Sequence, residues 1–152
     1  GGDLGVQGES QRSAQSFAAI ARDGRAGYAA LARFNEAALK ARGGDGAGAL
    51  ALYKALGADS GLAPELRQAA AFLAIQDAAA TASAAEVERS LGALGAPTSP
   101  WRGLALELVA AAALRTGDSA KAREVLAQIA DDATASQAIR ARAAEMLAAL
   151  GS

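Results

Sequence analysis

Residues 37–53 read AALKARGGDGAGALALY, and residues 110–126 read AAAALRTGDSAKAREVL. The second stretch begins 73 positions after the first. It repeats the alanines at 37 and 49 as Ala110 and Ala122, and the Gly-Asp pair at 44–45 as Gly117-Asp118. A large apolar residue, Tyr53 or Leu126, ends each stretch. Glycine after a helix commonly adopts the left-handed conformation that ends it, and aspartate caps the next helix. Each stretch therefore predicts a helix, a tight turn and a second helix.

The spacing of the two stretches indicates a repeat. A separation of 73 residues is close to two tetratricopeptide periods of roughly 34 residues. Small residues at the shared positions let paired helices approach closely, and the large residue one turn later fills the space beside them. A third, degenerate helix pair is expected between the two stretches, with Ala69, Ala70 and Ala71 as its small positions and Leu91 as its large one. The alternative is an alanine-rich bundle without a repeat.

Glycines, prolines and capping residues divide the whole chain into about eight helices joined by short turns, as in an antiparallel helical array. The predicted helices cover residues 13–23, 27–42, 46–58, 64–80, 84–94, 101–115, 121–130 and 136–150. Asp45 and Ser83 are predicted N-caps, and Glu86 completes a capping box with Ser83. The predicted fold is all-α, a tetratricopeptide-like right-handed stack of antiparallel helix pairs over residues 13–152. Residues 1–12, rich in Gly, Gln and Ser, are interpreted as a linker or expression remnant.

The composition favours helices and restricts the chemistry. Hydrophobic residues make up 52% of the 152-residue chain but aromatic residues only 4%, so that most of the apolar content is alanine, the best helix former. With 15 basic and 16 acidic residues, the chain has no surplus of positive charge for a nucleic-acid backbone. Because cysteine and histidine are absent, disulfides, zinc sites of these residues and histidine-dependent triads are excluded. No run of about 18 apolar residues is present that would span a membrane.

The remaining candidates for chemistry have simpler structural interpretations. The Asp131-Asp132 pair is expected to cap the final helix in solvent, and the glycine-rich run 43–48 lacks the Lys-Ser/Thr of a phosphate loop. Arg140 and Arg142 are expected to form surface salt bridges. The large aromatic residues are expected in the core, namely Tyr28, Phe34, Tyr53 and Trp101. No catalytic, cofactor-binding or metal-binding residue is predicted.

Several runs resemble one bacterial family. These are GYAALARFNEA at 27–37, Pro-Trp-Arg at 100–102 followed by Glu107, Gly117-Asp118 with Ala122 and the pair at 131–132, and IRARAAEML at 139–147. Together they are similar to the tetratricopeptide-like domains of the ancillary Sec-translocon subunit family, over roughly Phe17 to Leu150. The resemblance implies an N-terminal membrane helix, expected upstream of Gly1, and a helical domain in the periplasm beside the translocon and its chaperones.

The function expected from this sequence is a non-catalytic protein-interaction scaffold of the bacterial cell envelope. Stacked helix pairs form a concave face that binds peptides or partner helices. By register, eight residues are predicted to line this groove: Leu31, Phe34, Ala38 and Arg42 from one helix, and Leu104, Glu107, Ala111 and Arg115 from another. The partners expected are proteins or peptides, such as translocon subunits, periplasmic chaperones or their clients. The alternatives are a structural self-assembly module or an accessory subunit of an enzyme complex.

Overall fold

The computed structural model describes residues 20 and 22–151, and this part of the chain consists of helices and turns without a strand. Its seven α-helices are α1 (Arg25–Arg42), α2 (Gly46–Gly57), α3 (Pro64–Ala79), α4 (Ala84–Leu91), α5 (Arg102–Arg115), α6 (Ser119–Asp131) and α7 (Gln137–Leu150), with a 3₁₀ turn at Gly92–Gly95. The all-α prediction is confirmed. Most of the helix predicted at 13–23 lies outside the described residues. The positions described within it, 20, 22 and 23, are helical and lead to Gly24.

The described chain forms two compact units, one ending at Ala78 and the other beginning at Ala79. The first unit contains two small apolar clusters. One is built on α1, α2 and α3 from six buried residues and Ile20, namely Ala30, Leu56, Leu62, Ala63, Leu66 and Ala70. The other comprises Ala37, Ala49, Tyr53 and Ala74. These two clusters therefore consist largely of alanine, with Ile20, three leucines and Tyr53 as their large side chains.

The turn between α1 and α2 shows why the sequence folds into a hairpin here. Gly44 has a φ of 89°, and its N–H donates to the Ala41 carbonyl at 3.2 Å. The N–H of Asp45 donates to the Lys40 carbonyl at 2.8 Å, which completes a Schellman ending of α1. The carboxylate of Asp45 then accepts the N–H of Gly48 at 2.9 Å and caps α2. One aspartate thus closes one helix and opens the next.

The turn between α5 and α6, in the second unit, has the same construction. Gly117 has a φ of 78°, and its N–H donates to the Leu114 carbonyl at 3.2 Å. Asp118 donates to the Ala113 carbonyl at 2.8 Å, and its carboxylate accepts the N–H of Lys121 at 3.1 Å. The prediction that Gly44 and Gly117 occupy equivalent turns is confirmed by these bonds.

The small positions beside these turns are also equivalent in burial. Ala37 and Ala49 are 0% exposed, and their counterparts Ala110 and Ala122 are 1% and 0% exposed. The large positions, Tyr53 and Leu126, are buried as well. In each pair, small side chains on both helices allow close antiparallel packing, as the sequence predicts.

The region between these pairs matches the predictions in part. Ser83 caps α4, because its hydroxyl accepts the N–H of Glu86 at 3.1 Å. Among the three predicted small positions only Ala70 is fully buried, whereas Leu91 is buried at the predicted large position. Helix α4 ends at Leu91, three residues earlier than predicted, because Gly92 takes a φ of 49° and the chain continues as the 3₁₀ turn.

Two structural expectations are wrong. The final helix is not capped by the aspartate pair: Ser136 caps α7 by accepting the N–H of Ile139, and Asp132 instead lies at the end of α6. Tyr28 is not a core residue, since it is 65% exposed on α1, where Gly27 and Ala30 take the buried face. Tyr53 and Trp101 are buried as predicted, and Phe34 is half-buried.

Candidate functional site

The four groove residues predicted on α1 differ in burial, and the one at the end of the helix is exposed to solvent. Leu31 and Phe34 are half-buried and pack against the apolar cluster that contains Leu56 and Leu66. Phe34 also lies against Tyr53, with ring centroids 6.4 Å apart. Ala38 is half-buried and Arg42 is exposed at the end of the helix. Leu31 and Phe34, the two large groove residues predicted in this unit, therefore bury part of their side chains in the core.

The predicted groove residues of α5 divide into two pairs. Glu107 and Ala111 line a pocket of about 290 Å³ in the second unit. Leu104 and Arg115 are not among the lining residues, and Arg115 instead donates a side-chain hydrogen bond to the carbonyl of Ala82. The structure thus brings two of the four α5 residues to one concave site.

Helices α5, α6 and α7 form this pocket, the α5–α7 pocket. Its lining residues come from α5 (Glu107, Leu108, Ala110, Ala111), α6 (Leu126, Ile129) and α7 (Ala143, Met146). Leu126, Ile129, Ala110 and Ala143 are buried and form its floor, whereas Ala111 and Met146 are exposed at its edge. Seven of its eight lining residues are apolar, so the site provides apolar surface with one ionisable group.

That ionisable group, Glu107, is tightly paired with Arg142 of α7, which is not among the lining residues. Nε of Arg142 donates to Glu107 Oε2 at 2.9 Å, and Nη2 donates to Oε1 at 2.7 Å. Such a bidentate pair fixes both side chains and neutralises their charges locally. The predicted salt-bridging role of Arg142 is confirmed. The same prediction is wrong for Arg140, which forms no ion pair within the described residues; its Nε instead donates to the carbonyl of Ala130 at 3.4 Å.

The aspartate pair after α6 is used structurally. The Asp132 carboxylate accepts the backbone N–H and the hydroxyl of Thr134, at 2.9 and 2.5 Å, and lies 3.4 Å from Arg102 Nε. These hydrogen bonds, supported by the Arg102 charge, lower the pKa of Asp132 below its usual value. Arg102 also donates to the carbonyl of Gly95 at 3.0 Å. The end of α6, the start of α5 and the 3₁₀ turn are thereby joined.

Elsewhere in the described chain, few features favour acid–base or metal chemistry. Burial raises the pKa of the Tyr53 phenol, and the nearby Asp77 charge raises it further. The phenol, already neutral near pH 7 at its ordinary pKa, is thereby a still weaker acid. No group of three or more acidic residues suited to a metal ion is found among residues 20 and 22–151.

The α5–α7 pocket as a whole was not predicted from sequence. Five apolar lining residues follow the apolar period of their helices, namely Leu108, Leu126, Ile129, Ala143 and Met146. This period predicts core positions, but it does not show where the core remains open to solvent. The sequence did predict that Arg142 forms a salt bridge, but it did not identify Glu107 of α5 as the partner.

Comparison of the chain with protein-family models, with curated proteins and with solved structures finds no significant match. Within the described residues, no helix combines the length and the apolar character needed to cross a bilayer.

Proposed function

We propose that the protein is a non-catalytic protein-interaction scaffold, built as a right-handed stack of tetratricopeptide-like helix pairs. The observation that carries this proposal is the α5–α7 pocket, because Glu107 and Ala111, predicted as groove residues from register alone, both line it. The repeated turn at Gly44-Asp45 and Gly117-Asp118 supports the repeat architecture. Helical repeats present such concave sites to peptides and partner helices.

The residue inventory supports binding over catalysis. The chain has no histidine and no cysteine, which removes the usual general base at neutral pH and the usual thiolate nucleophile. The carboxylate at the pocket is held in a salt bridge by Arg142, and the Asp132 carboxylate is held by Thr134. The hydrogen bonds of Asp132 lower the pKa of its carboxyl group, unlike those of a general acid kept protonated near neutral pH.

The cellular setting that we propose comes from the sequence resemblance described above. The natural protein would be held at the bacterial inner membrane by a helix upstream of Gly1, with this domain in the periplasm beside the translocon and its chaperones. Fractionation of cells that carry the intact gene tests this arrangement, together with protease treatment of spheroplasts. An intact protein that stays in the soluble cytoplasmic fraction would contradict it.

Site-specific photo-crosslinking in intact cells tests the interaction itself. A photoreactive amino acid at Ala111, on the edge of the pocket, is expected to give a discrete crosslinked partner that mass spectrometry can identify. The matched control position is Ala144, which is exposed on α7 and does not line the pocket. A position on the predicted α1 groove, Ala38, is included as a second probe. Identical crosslinks from Ala111 and Ala144, or none from Ala111 and Ala38, would contradict the proposal.

One observation favours self-association as a second candidate function. Tyr28 and Leu39 are 65% and 63% exposed on α1. Eleven positions correspond to about three helical turns, so these two residues lie on one side of α1. Two large apolar side chains exposed on the same side of one helix can be covered by a contact between copies of the chain. Light scattering across a concentration series tests this, and Leu39→Ser is expected to lower the mass at high concentration if these side chains form the contact.

A further inference from the structure

We propose that Met146 is a reversible oxidation site, at which a peroxide converts the thioether to a sulfoxide and thereby weakens the packing of α7 against α6. The proposal is independent of the proposed interaction function, because it concerns the chemistry of one side chain and needs no partner protein. Three observations carry it: the sulfur content of the chain, the exposure of Met146 and the apolar surroundings of its side chain.

Met146 holds the only sulfur atom of the protein, since the chain has one methionine and no cysteine. In most proteins a reactive thiolate competes with methionine for an oxidant, and here that competition is absent. The Met146 side chain is 37% exposed on α7, so that a small peroxide can approach it from solvent. A peroxide that reaches this protein therefore has a single sulfur to oxidise.

The reaction consumes one peroxide for each sulfoxide formed. A lone pair of the Met146 sulfur attacks one peroxide oxygen, so that an S–O bond forms while the O–O bond breaks. The sulfur loses two electrons and the peroxide gains them. With hydrogen peroxide, the hydroxide that leaves takes the proton of the transferred oxygen and departs as water. Methionine sulfoxide reductases restore the thioether, which makes the modification reversible.

The surroundings of Met146 suit a thioether better than a sulfoxide. The side chain lines the α5–α7 pocket together with Leu126, Ile129 and Ala143, which are buried and apolar. Among the described residues that line this pocket, Glu107 is the one polar side chain. Its ionised carboxylate accepts hydrogen bonds and cannot donate one. No lining side chain is therefore able to donate a hydrogen bond to a sulfoxide oxygen.

Oxidation is expected to remove the Met146 side chain from the edge of the pocket. A sulfoxide in the place of the thioether would hold a polar oxygen against apolar carbon atoms without a hydrogen bond, which is unfavourable. The oxidised side chain should therefore turn to solvent and give up its apolar contacts. Because Leu126 and Ile129 belong to α6, which packs closely against α7, the lost contacts lie between these two helices.

Hydrogen peroxide is the probe, and intact mass, the methyl spectrum and thermal unfolding are the measurements. Treatment is expected to add the mass of one oxygen atom and to move the single ¹³C-methyl methionine signal to the position of a sulfoxide. The Tm of the oxidised protein is expected to fall by about 2–4 °C, as suits the loss of part of one apolar contact in a chain of this size. Treatment with reductases for both sulfoxide epimers is expected to restore the mass and the Tm.

Two variants separate the effect of the site from that of the reagent. Met146→Leu keeps an apolar side chain of similar size without sulfur, so peroxide is expected to change neither its mass nor its Tm. In the double variant Met146→Leu with Ala144→Met, the sulfur lies at an exposed position of α7 that does not line the pocket. This variant is expected to gain one oxygen atom while its Tm changes by less than about 1 °C.

The proposal is overturned if peroxide that fully oxidises free methionine leaves Met146 unmodified, or if the oxidised protein keeps its Tm. An equal fall in Tm for the double variant would also overturn it, because the position beside the pocket would then not matter. A sulfoxide that the reductases cannot reduce in the folded protein would overturn its reversibility. The crosslinks from Ala111 and Ala38 test the interaction function separately from all of these results.

Discussion

Replacement of Ala122 by leucine tests the close packing that underlies the repeated helix pair. Ala122 is 0% exposed in α6, and Ala110, the small position of α5 in the same helix pair, is 1% exposed. Leucine adds three carbon atoms at a fully buried position that is not among the residues lining the α5–α7 pocket. The helices must separate or neighbouring side chains must leave their preferred rotamers.

The magnitude follows from two opposing terms. Burying three further carbons would stabilise the fold by about 2 kcal/mol if space existed, at about 0.8 kcal/mol for each. In an interior at native density that space is missing, and overpacking typically costs 1–3 kcal/mol net. We therefore expect Ala122→Leu to lower the free energy of unfolding by about 1–3 kcal/mol. For a chain of this size each kcal/mol corresponds to about 2–4 °C in Tm.

Urea unfolding followed by Trp101 fluorescence measures the effect in the unit that contains α6. The control is Ala120→Leu, the same substitution at an exposed position of the same helix, expected to change stability by less than about 0.5 kcal/mol. Ala49→Leu, at the equivalent position of α2, is expected to cost a similar amount when unfolding is followed by circular dichroism. An unchanged midpoint for Ala122→Leu, or an equal loss for Ala120→Leu, would refute the packing argument.

Three further predictions concern other parts of the fold. Gly117→Ala is expected to cost about 1 kcal/mol by thermal unfolding, because φ is 78° and nothing lies within 4 Å of an added Cβ, so that backbone strain alone acts; an equal cost for Gly117→Asn, which tolerates this conformation better, would contradict it. A double-mutant cycle of Glu107→Gln and Arg142→Gln is expected to give a coupling free energy of about 1 kcal/mol, since the pair is bidentate and only about a quarter exposed; a value below about 0.3 kcal/mol would mean that the pair does not stabilise the fold. The pKa of Asp132 is lowered in the folded chain, so the stabilisation from its charged form is complete above the unfolded pKa near 3.9 and is lost as the pH falls through the folded pKa. The difference in the free energy of unfolding between the parent and Asp132→Asn is therefore expected to be constant from about pH 7 to pH 5 and to shrink below about pH 4. A difference that persists at low pH would argue against the charged hydrogen bonds.

The helices and their caps were predictable because the signals that fix them are local. Asp45, Ser83 and Asp118 each accept an N–H three residues ahead, an arrangement visible in the sequence as a capping residue before an apolar period. The shared alanines at 49 and 122 were predictable for a related reason, since a repeated spacing implies a repeated contact.

The features that sequence reasoning missed depend on several helices at once. Tyr28 fits the apolar period of α1, yet Gly27 and Ala30 occupy the face that packs, and the period cannot choose between adjacent faces. The same limitation applies to the pocket. Its floor residues read as core, and only the arrangement of α5, α6 and α7 leaves them open at one side.

The extensive helix contacts within each unit, such as α1 with α2 and α5 with α6 and α6 with α7, join neighbours along the chain. Such an arrangement has low contact order, because the loops that must close before packing begins are only a few residues long. Helical proteins of this kind fold in microseconds to milliseconds, whereas proteins built on distant strand pairing take up to seconds. Each hairpin can therefore form as soon as its own residues are available, without waiting for the far end of the chain.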